Sequence, residues 1–315
     1  MVDSGMIAAP FFLVGAERSG TSLLRAMLAG HPLLAWSEEF EYAVDFMPPA
    51  GGLPDLNEYH RFLESDQVFQ FTGHRIDPKL SYPELVNSFL VERRGTKPLV
   101  GATVHRHFDR LLRVWPDARF IHIVRDGRDV ARSVIECGWA SHPWVACDYW
   151  IEAETLWERL VKTLPAERHL SLTFESLILG SVQELTRICE FCGVPYDAGL
   201  FDYPQSSNYT LPDPRMVGSW QKKMDRRQVQ LVEARIGPML EERGYALSGN
   251  PSIQVPPSMG RRFRWQDYLG RVRFRLSRYG LPLLIQDFLT RRLGCEGLQR
   301  KVRKRIHAIN KQYIK

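Results

Sequence analysis

Phe11-Phe12-Leu13-Val14-Gly15-Ala16-Glu17-Arg18-Ser19-Gly20-Thr21-Ser22 is the stretch on which the fold turns. Four apolar residues, a glycine-rich turn and a pair of hydroxyl residues predict a short buried strand, a tight loop and a helix start. The helix is expected from about Thr21 to Ala29, with Leu23, Leu24, Met27 and Leu28 on one face, and His31-Pro32 ends it. Backbone N–H groups at such a helix start form an anion site. Small residues at Ser19, Gly20 and Thr21 let the main chain approach a phosphate, and the hydroxyls of Ser19, Thr21 and Ser22 add donors. The pattern nearly matches the nucleotide-triphosphatase loop G-x-x-x-x-G-K-[ST]. Thr21 stands where that loop has its lysine, and the cation is Arg18, inside the loop. Such a loop suits a nucleotide with a short 5′ group better than a γ-phosphate with magnesium.

A second anion site follows a second apolar run. Phe120-Ile121-His122-Ile123-Val124 is continuous in the way buried parallel strands are. Arg125 stands at its C-terminal end, where open α/β sheets bind ligands, and Ser133 comes eight residues later on the helix expected from about Asp129. Leu99-Val100 and His169-Leu170-Ser171-Leu172 read as further strands, with helices at about 145–163, 181–192 and 225–242. Strands alternating with helices predict a three-layer, P-loop-like α/β domain around a central parallel sheet. Residues 48–80, opened by Pro48-Pro49-Ala50-Gly51-Gly52, show little periodicity and read as a loop-rich insertion near the site. Pro251 to Pro257 reads as a linker. The expected division is a domain over 1–255 and a basic amphipathic helical tail over 256–315.

The 315 residues are 44% hydrophobic, enough for a sizeable core, which excludes disorder as the overall class. The five cysteines, Cys137, Cys147, Cys189, Cys192 and Cys295, are too few and odd in number for a disulfide framework. Cys189 and Cys192 form C-x-x-C within an apolar helical stretch, which reads as packing, and no second ligand pair completes a zinc site. No basic, apolar leader opens the chain and no run reaches the ~18 residues of a membrane span, so a cytoplasmic protein is expected. Residues 258–315 carry 16 Lys/Arg and 3 Asp/Glu, a charge of +13, which leaves −7 for the preceding body.

The motifs resemble PAPS-dependent sulfotransferases (PAPS, 3′-phosphoadenosine 5′-phosphosulfate), most closely the tyrosylprotein and bacterial carbohydrate-type members. Arg18-Ser19-Gly20-Thr21-Ser22, His31-Pro32 and Glu38-Glu39 look like that family's opening. Leu172-Thr173-Phe174-Glu175-Ser176-Leu177 resembles its Y-E-x-L element, Phe191-Cys192-Gly193-Val194-Pro195-Tyr196 its F-L-G-x-P segment, and Arg215-Met216-Val217-Gly218-Ser219-Trp220 its late nucleotide-closing loop. Ile236 to Leu240 and Gly244-Tyr245 resemble its final helix, so the resemblance covers about 10–247 and leaves out the tail. It implies that Arg18, Ser19, Gly20, Thr21 and Ser22 hold the 5′-phosphosulfate, that Arg125 and Ser133 bind the 3′-phosphate, and that Phe174, Arg215 and Gly218 lie against the nucleotide. The chain departs from the family at Phe174, in place of the usual tyrosine, and at Leu23, where some cytosolic members have tryptophan. Gly101 to His107 also lacks the lysine of the bacterial K-T-P motif.

Sulfuryl transfer needs an aligned attacking oxygen, stabilisation of spreading negative charge and a base for the acceptor proton. Arg18 is the expected charge stabiliser, with the backbone N–H groups of residues 19–22. Two residues compete as base. Glu39 stands at the spacing from the loop that tyrosylprotein members use for theirs. His105 lies ahead of the second strand, as the cytosolic members' histidine does, and histidine is the side-chain type suited to proton transfer near neutral pH. The expected reaction is metal-free transfer to a hydroxyl on a carbohydrate, lipid, tyrosine or small alcohol. A P-loop kinase or triphosphatase, and a non-catalytic nucleotide-binding membrane-associated protein, are the alternatives.

In the tail, Trp265, Tyr268, Leu269, Val272, Leu276 and Tyr279 recur at helical spacing, as do Leu298, Val302, Ile306, Ile309 and Tyr313. Arg264, Arg271, Arg275, Arg278, Arg300, Lys301, Lys304 and Arg305 share these stretches. Packing on the acidic body, contact with an anionic membrane and holding a polyanionic acceptor all fit. Nucleic acid does not, since no binding motif accompanies the charge.

Overall fold

The structure is a computed structural model that describes residues 5–205, 207, 209–293 and 296–311. Strands β1 (Phe11–Val14), β2 (Leu34–Glu39), β3 (Leu99–Val104), β4 (Arg119–Val124) and β5 (His169–Thr173) form one sheet in the order β2-β3-β1-β4-β5. Every pairing is parallel, with Phe11 opposite both Gly101 and Arg119, and Phe120 opposite His169. Strand β2 has no counterpart among the expected elements. It lies at the sheet edge, and its Glu38-Glu39 end breaks the apolar run that marks a buried strand.

The chain groups into two compact units. The first comprises residues 1–126 and 149–219, the second 127–148 and 220–315. The first contains the sheet and two apolar layers. Phe12, Val14, Ala102, Val104 and Phe120 face one core, with Trp115, Trp157 and helix α4 (Tyr82–Arg94). Phe11, Leu13, Trp36, Ile121 and Ile123 face the other, with helices α1 (Thr21–Gly30), α7 (Phe174–Leu179) and α8 (Ser181–Cys192). The two-residue alternation along β1 serves both faces. This is the three-layer α/β architecture that the strand and helix alternation predicts. Cys189 and Cys192 sit in α8, where burial pushes their thiols up to about 11 and about 12, so the C-x-x-C is packing. Cys295 lies outside the described residues.

Residues 48–80 correct the loop-rich expectation in part. They contain helices α2 (Leu56–Ser65) and α3 (Gln67–Thr72). Asp55 caps α2 by accepting the Glu58 N–H at 2.9 Å, and Asp66 caps α3 by accepting the Phe69 N–H at 2.8 Å. Such caps contribute about 1 kcal/mol each. Only Tyr59, Leu63 and Phe69 are buried along both helices, so the apolar pattern is too sparse to read as a face.

The second unit holds α5 (Gly127–Glu136), the start of α6 (Pro143–Val161), α9 (Trp220–Lys223), α10 (Arg226–Glu242), α11 (Pro257–Arg292) and α12 (Glu296–Lys311). Arg128 on α5 pairs with Glu233 at 2.7 Å and lies 3.9 Å from the Trp220 ring centroid, while Asp129 accepts the Trp220 N–H at 2.9 Å. Trp144, Leu231 and Phe263 form its apolar cluster. Gly280, at φ 73°, interrupts α11 just before Pro282. Residues 257–292 and 296–311 are therefore helical, and they are grouped with α5 and the start of α6. Tyr313 lies outside the described residues, as does the side chain of Arg300. Among the described residues no helix is long and apolar enough to cross a membrane.

Candidate active site

A parallel sheet sends all its strand ends to one edge, and every candidate of the first unit except those of the late loop ends or follows a strand. In sheet order these are Glu39 at the end of β2, His105 after β3, the Gly15–Gly20 loop after β1, Arg125 after β4 and Phe174 after β5. The loop is shaped by backbone geometry. Gly15 passes so close to β4 that a Cβ would stand 2.3 Å from the Ile123 carbonyl oxygen. Arg18 takes φ 72°, rare for a side chain that is not glycine, and Gly20 takes φ 95° at the N-cap of α1.

The residues fit an anionic group here. Among the described residues no side chain caps α1 at its N-cap, Gly20. Ser19 is fully buried, and among the described residues its Oγ has no hydrogen-bond partner. A buried hydroxyl without a partner is costly in a finished fold, and a phosphate or sulfuryl oxygen would satisfy it. The Ser19 N–H is committed elsewhere, donating to the Ala16 carbonyl at 3.1 Å. The site residue Thr21 is buried in α1, as is the neighbouring Leu23, while Ser22 is half-buried.

Arg125 ties three segments together. Its guanidinium donates to the Arg18 carbonyl at 3.3 Å and to the Met216 carbonyl at 3.0 Å, and lies 4.2 Å from the Phe174 ring centroid. Its own carbonyl accepts the Trp150 indole N–H at 2.9 Å, and the next N–H, of Asp126, donates to Glu175 at 3.1 Å. Arg125 thus joins the loop, α7 and the 214–216 turn. Within the late loop Arg215 turns outward. Its side chain is 88% exposed and pairs with Asp213 at 2.7 Å. Gly218 takes a left-handed φ of 62°. Ser133 belongs to the second unit, buried on α5.

The two candidate bases stand differently. His105 is 8% exposed, its N–H donates to Glu41 Oε1 at 2.9 Å, and its Nδ1 lies 3.1 Å from the Gly15 carbonyl. With Nδ1 as donor to that carbonyl, Nε2 is the acceptor. Glu39, one strand further out, is exposed, and among the described residues its carboxylate makes no hydrogen bond or ion pair. Its neighbour Glu38 pairs with Arg25 at 2.9 Å.

Glu41 is the residue that sequence reasoning missed. It is buried, and desolvation pushes its carboxyl above the ordinary range, against the pull of His105. Beside it Arg106 pairs with Asp45 at 2.6 Å and lies 3.9 Å from Glu17 of the loop. The acidic run Glu38-Glu39-Phe40-Glu41 gave no sign of which member turns inward.

Comparison with known proteins agrees with this geometry. Residues 10–198 match the family model described as "Sulfotransferase family". The chain is 23% identical over 267 residues to protein-tyrosine sulfotransferase A of Caenorhabditis elegans, covering 77% of this chain and 69% of that protein. It is 24% identical over 292 residues to protein-tyrosine sulfotransferase 1 of Danio rerio, covering 79% and 74%. The fold is similar to that of the sulfotransferase domain from the Synechococcus PCC 7002 olefin synthase, at a TM-score of 0.56 and 20% identity over 78% of this chain and 99% of that one. It is also similar to the sulfotransferase domain from the curacin biosynthetic pathway, at 0.55 and 15% over 77% and 100%. The chain belongs to the sulfotransferase family, the PAPS-dependent transferases to which its phosphate loop and Arg125 point.

Proposed function

We propose that this chain transfers a sulfuryl group from PAPS to an acceptor hydroxyl, without a metal ion. The observation that carries the reading is the buried, unpartnered Ser19 Oγ in a loop whose Arg18 and Gly20 both hold left-handed backbone. Bound PAPS supplies the activated sulfuryl group. Arg18, Gly20, Thr21 and Ser22 would hold its 5′ side together with Ser19. Arg125 and Ser133 are assigned to the 3′-phosphate, with Phe174, Arg215 and Gly218 along the nucleotide.

Arg18 stabilises the charge that builds on the leaving phosphate oxygen. Glu39 takes the acceptor proton as the new S–O bond forms and the old one breaks. Its exposed carboxylate supports that role, whereas the His105 ring engages the Gly15 carbonyl through Nδ1 and acts by holding the loop. Two relatives named as protein-tyrosine sulfotransferases support a hydroxyl acceptor, with tyrosine beside carbohydrate, lipid and small alcohols as its class. The protein is assigned to the cytoplasm, with an anionic membrane surface as the partner of its basic tail.

The test is ligand stabilisation. 3′,5′-Bisphosphoadenosine should raise the melting temperature in the presence of a metal chelator, as mass action requires. ATP with magnesium should do much less. Equal or greater stabilisation by ATP would move the assignment to a P-loop kinase.

A further inference from the structure

Five apolar side chains of the first tail stripe, on α11, do not face a core. Trp265 is 65% exposed, Tyr268 55%, Leu269 56%, Val272 37% and Leu276 37%. At 3.6 residues per turn these five side chains fall within an arc of about 100°. The opposite face of α11 is the packed one. Phe263 stacks on His142 at 4.3 Å between ring centroids, and Asp267, 1% exposed, accepts the N–H groups of Ser141 at 2.7 Å and His142 at 3.2 Å. The stripe is therefore held outward by a fixed inner face.

Charge frames the stripe on both sides. Residues 257–280 contain seven arginines and one acidic residue, the buried Asp267. Arg262 and Arg273 border one edge, and Arg264, Arg271 and Arg275 border the other. Arg264 pairs with Asp148 at 3.4 Å, Arg271 with Asp267 at 2.7 Å and Arg275 with Asp287 at 3.5 Å. Arg261, Arg262 and Arg273 make no ion pair among the described residues. An aromatic and aliphatic face between rows of cations is the chemistry of a helix lying in a bilayer interface, where tryptophan and tyrosine rings sit at headgroup level and basic residues meet anionic lipid.

We infer that residues 261–279 of α11 form an interfacial docking helix that seats Trp265, Tyr268, Leu269, Val272 and Leu276 in the headgroup layer of an anionic phospholipid bilayer. This deepens the membrane-surface assignment of the tail, on which it rests, by fixing the face and the lipid chemistry. Beyond Gly280, Leu281, Ile285, Phe288 and Leu289 are exposed as well.

The full chain should sediment with vesicles of phosphatidylcholine containing phosphatidylserine at least about tenfold more strongly than with phosphatidylcholine alone, and added salt should weaken the association. Trp265→Ser with Leu269→Ser, and separately Arg262→Gln with Arg273→Gln, should each lower that partition by about an order of magnitude. All these side chains are exposed, so melting temperature and bisphosphoadenosine affinity should not change. Vesicle binding that survives both double substitutions would overturn the docking face and leave the membrane assignment standing. Absence of vesicle binding in the unaltered chain would overturn both. A dimer in sedimentation equilibrium that Trp265→Ser with Leu269→Ser disperses would make a second copy the occupant and overturn the lipid.

Discussion

The ring of Phe174 occupies the space that a side chain on Gly20 would need. A Cβ built on Gly20 would lie 2.2 Å from Phe174 Cδ2 and 2.7 Å from Cε2. The Phe174 ring also carries the Arg125 guanidinium, 4.2 Å from its centroid. The residue where the family usually has tyrosine thus packs the loop against the cation expected to hold the 3′-phosphate. Its contact is made by ring carbons.

Gly20→Ala should therefore fail for two separable reasons. The left-handed conformation costs an L side chain roughly 1–2 kcal/mol, and the contact with Phe174 forces ring or loop to move. Bisphosphoadenosine affinity measured by calorimetry should fall at least about tenfold, with a lower melting temperature. Adding Phe174→Ala should relieve the contact and leave the backbone cost, recovering part of the loss. Full recovery in the double variant would show that Gly20 is needed only for space, and no loss in the single variant would remove the loop from the nucleotide site.

Arg125→Ala tests the second anion site. Loss of a charge-assisted contact of roughly 1.5–3 kcal/mol corresponds to a fall in affinity of about ten- to a hundredfold. Arg125→Lys should recover little, because one ammonium cannot bridge the Arg18 and Met216 carbonyls while stacking on Phe174. The measurement is calorimetric titration with 3′,5′-bisphosphoadenosine and with adenosine 5′-phosphate. If Arg125→Ala weakened both ligands equally, the arginine would serve the loop alone and the 3′-phosphate would be held elsewhere.

The two base candidates should separate by which parameter moves. Glu39→Gln keeps size and removes proton-accepting charge, so turnover should fall by about 10²–10⁴-fold while nucleotide affinity stays near normal. His105→Ala removes the ring from the Gly15 carbonyl, so nucleotide affinity and melting temperature should fall with activity. Near-normal turnover in Glu39→Gln, with His105→Ala inactive but binding nucleotide normally, would exchange the two roles.

The strand-end candidates were legible because a parallel sheet converts sequence order into one edge. An apolar run followed by glycine and arginine, at Val14-Gly15 and again at Val124-Arg125, marks where strands deliver ligands. Glu41 was not legible. A register shift between Ser37 and Glu39 interrupts the two-residue period of β2, leaving Glu38 and Glu39 exposed while the short turn Glu41–Ala43 folds inward. Strand periodicity cannot follow a chain across such a bulge. The hydrogen bond from Asp126 to Glu175 was equally hidden, being a tertiary contact from backbone to side chain. In the tail, helical spacing identified the stripe at Trp265 without its covering, since an outward face and a core face share one period.

Buried Glu41 makes the pH dependence of stability a test of the site's inner wall. Burial raises its carboxyl above the ordinary carboxylate range, so the folded protein favours the protonated form more than the unfolded chain does. The sign follows from proton linkage: this contribution is fully present below the unfolded value and is lost as pH rises through the raised folded value. Glu41→Gln carries a neutral amide whose oxygen can still accept the His105 N–H. The variant should therefore be at least as stable as the unaltered protein near pH 7, and the unaltered protein should gain relative to it as the pH falls towards about 4.5. Denaturant unfolding of both proteins across that range reads the difference, and groups that titrate alike in both cancel. A difference that does not vary with pH would mean that His105 and Arg106 offset the burial of the Glu41 carboxylate, and a variant that loses its advantage as the pH rises would mean that they stabilise it more than burial opposes it.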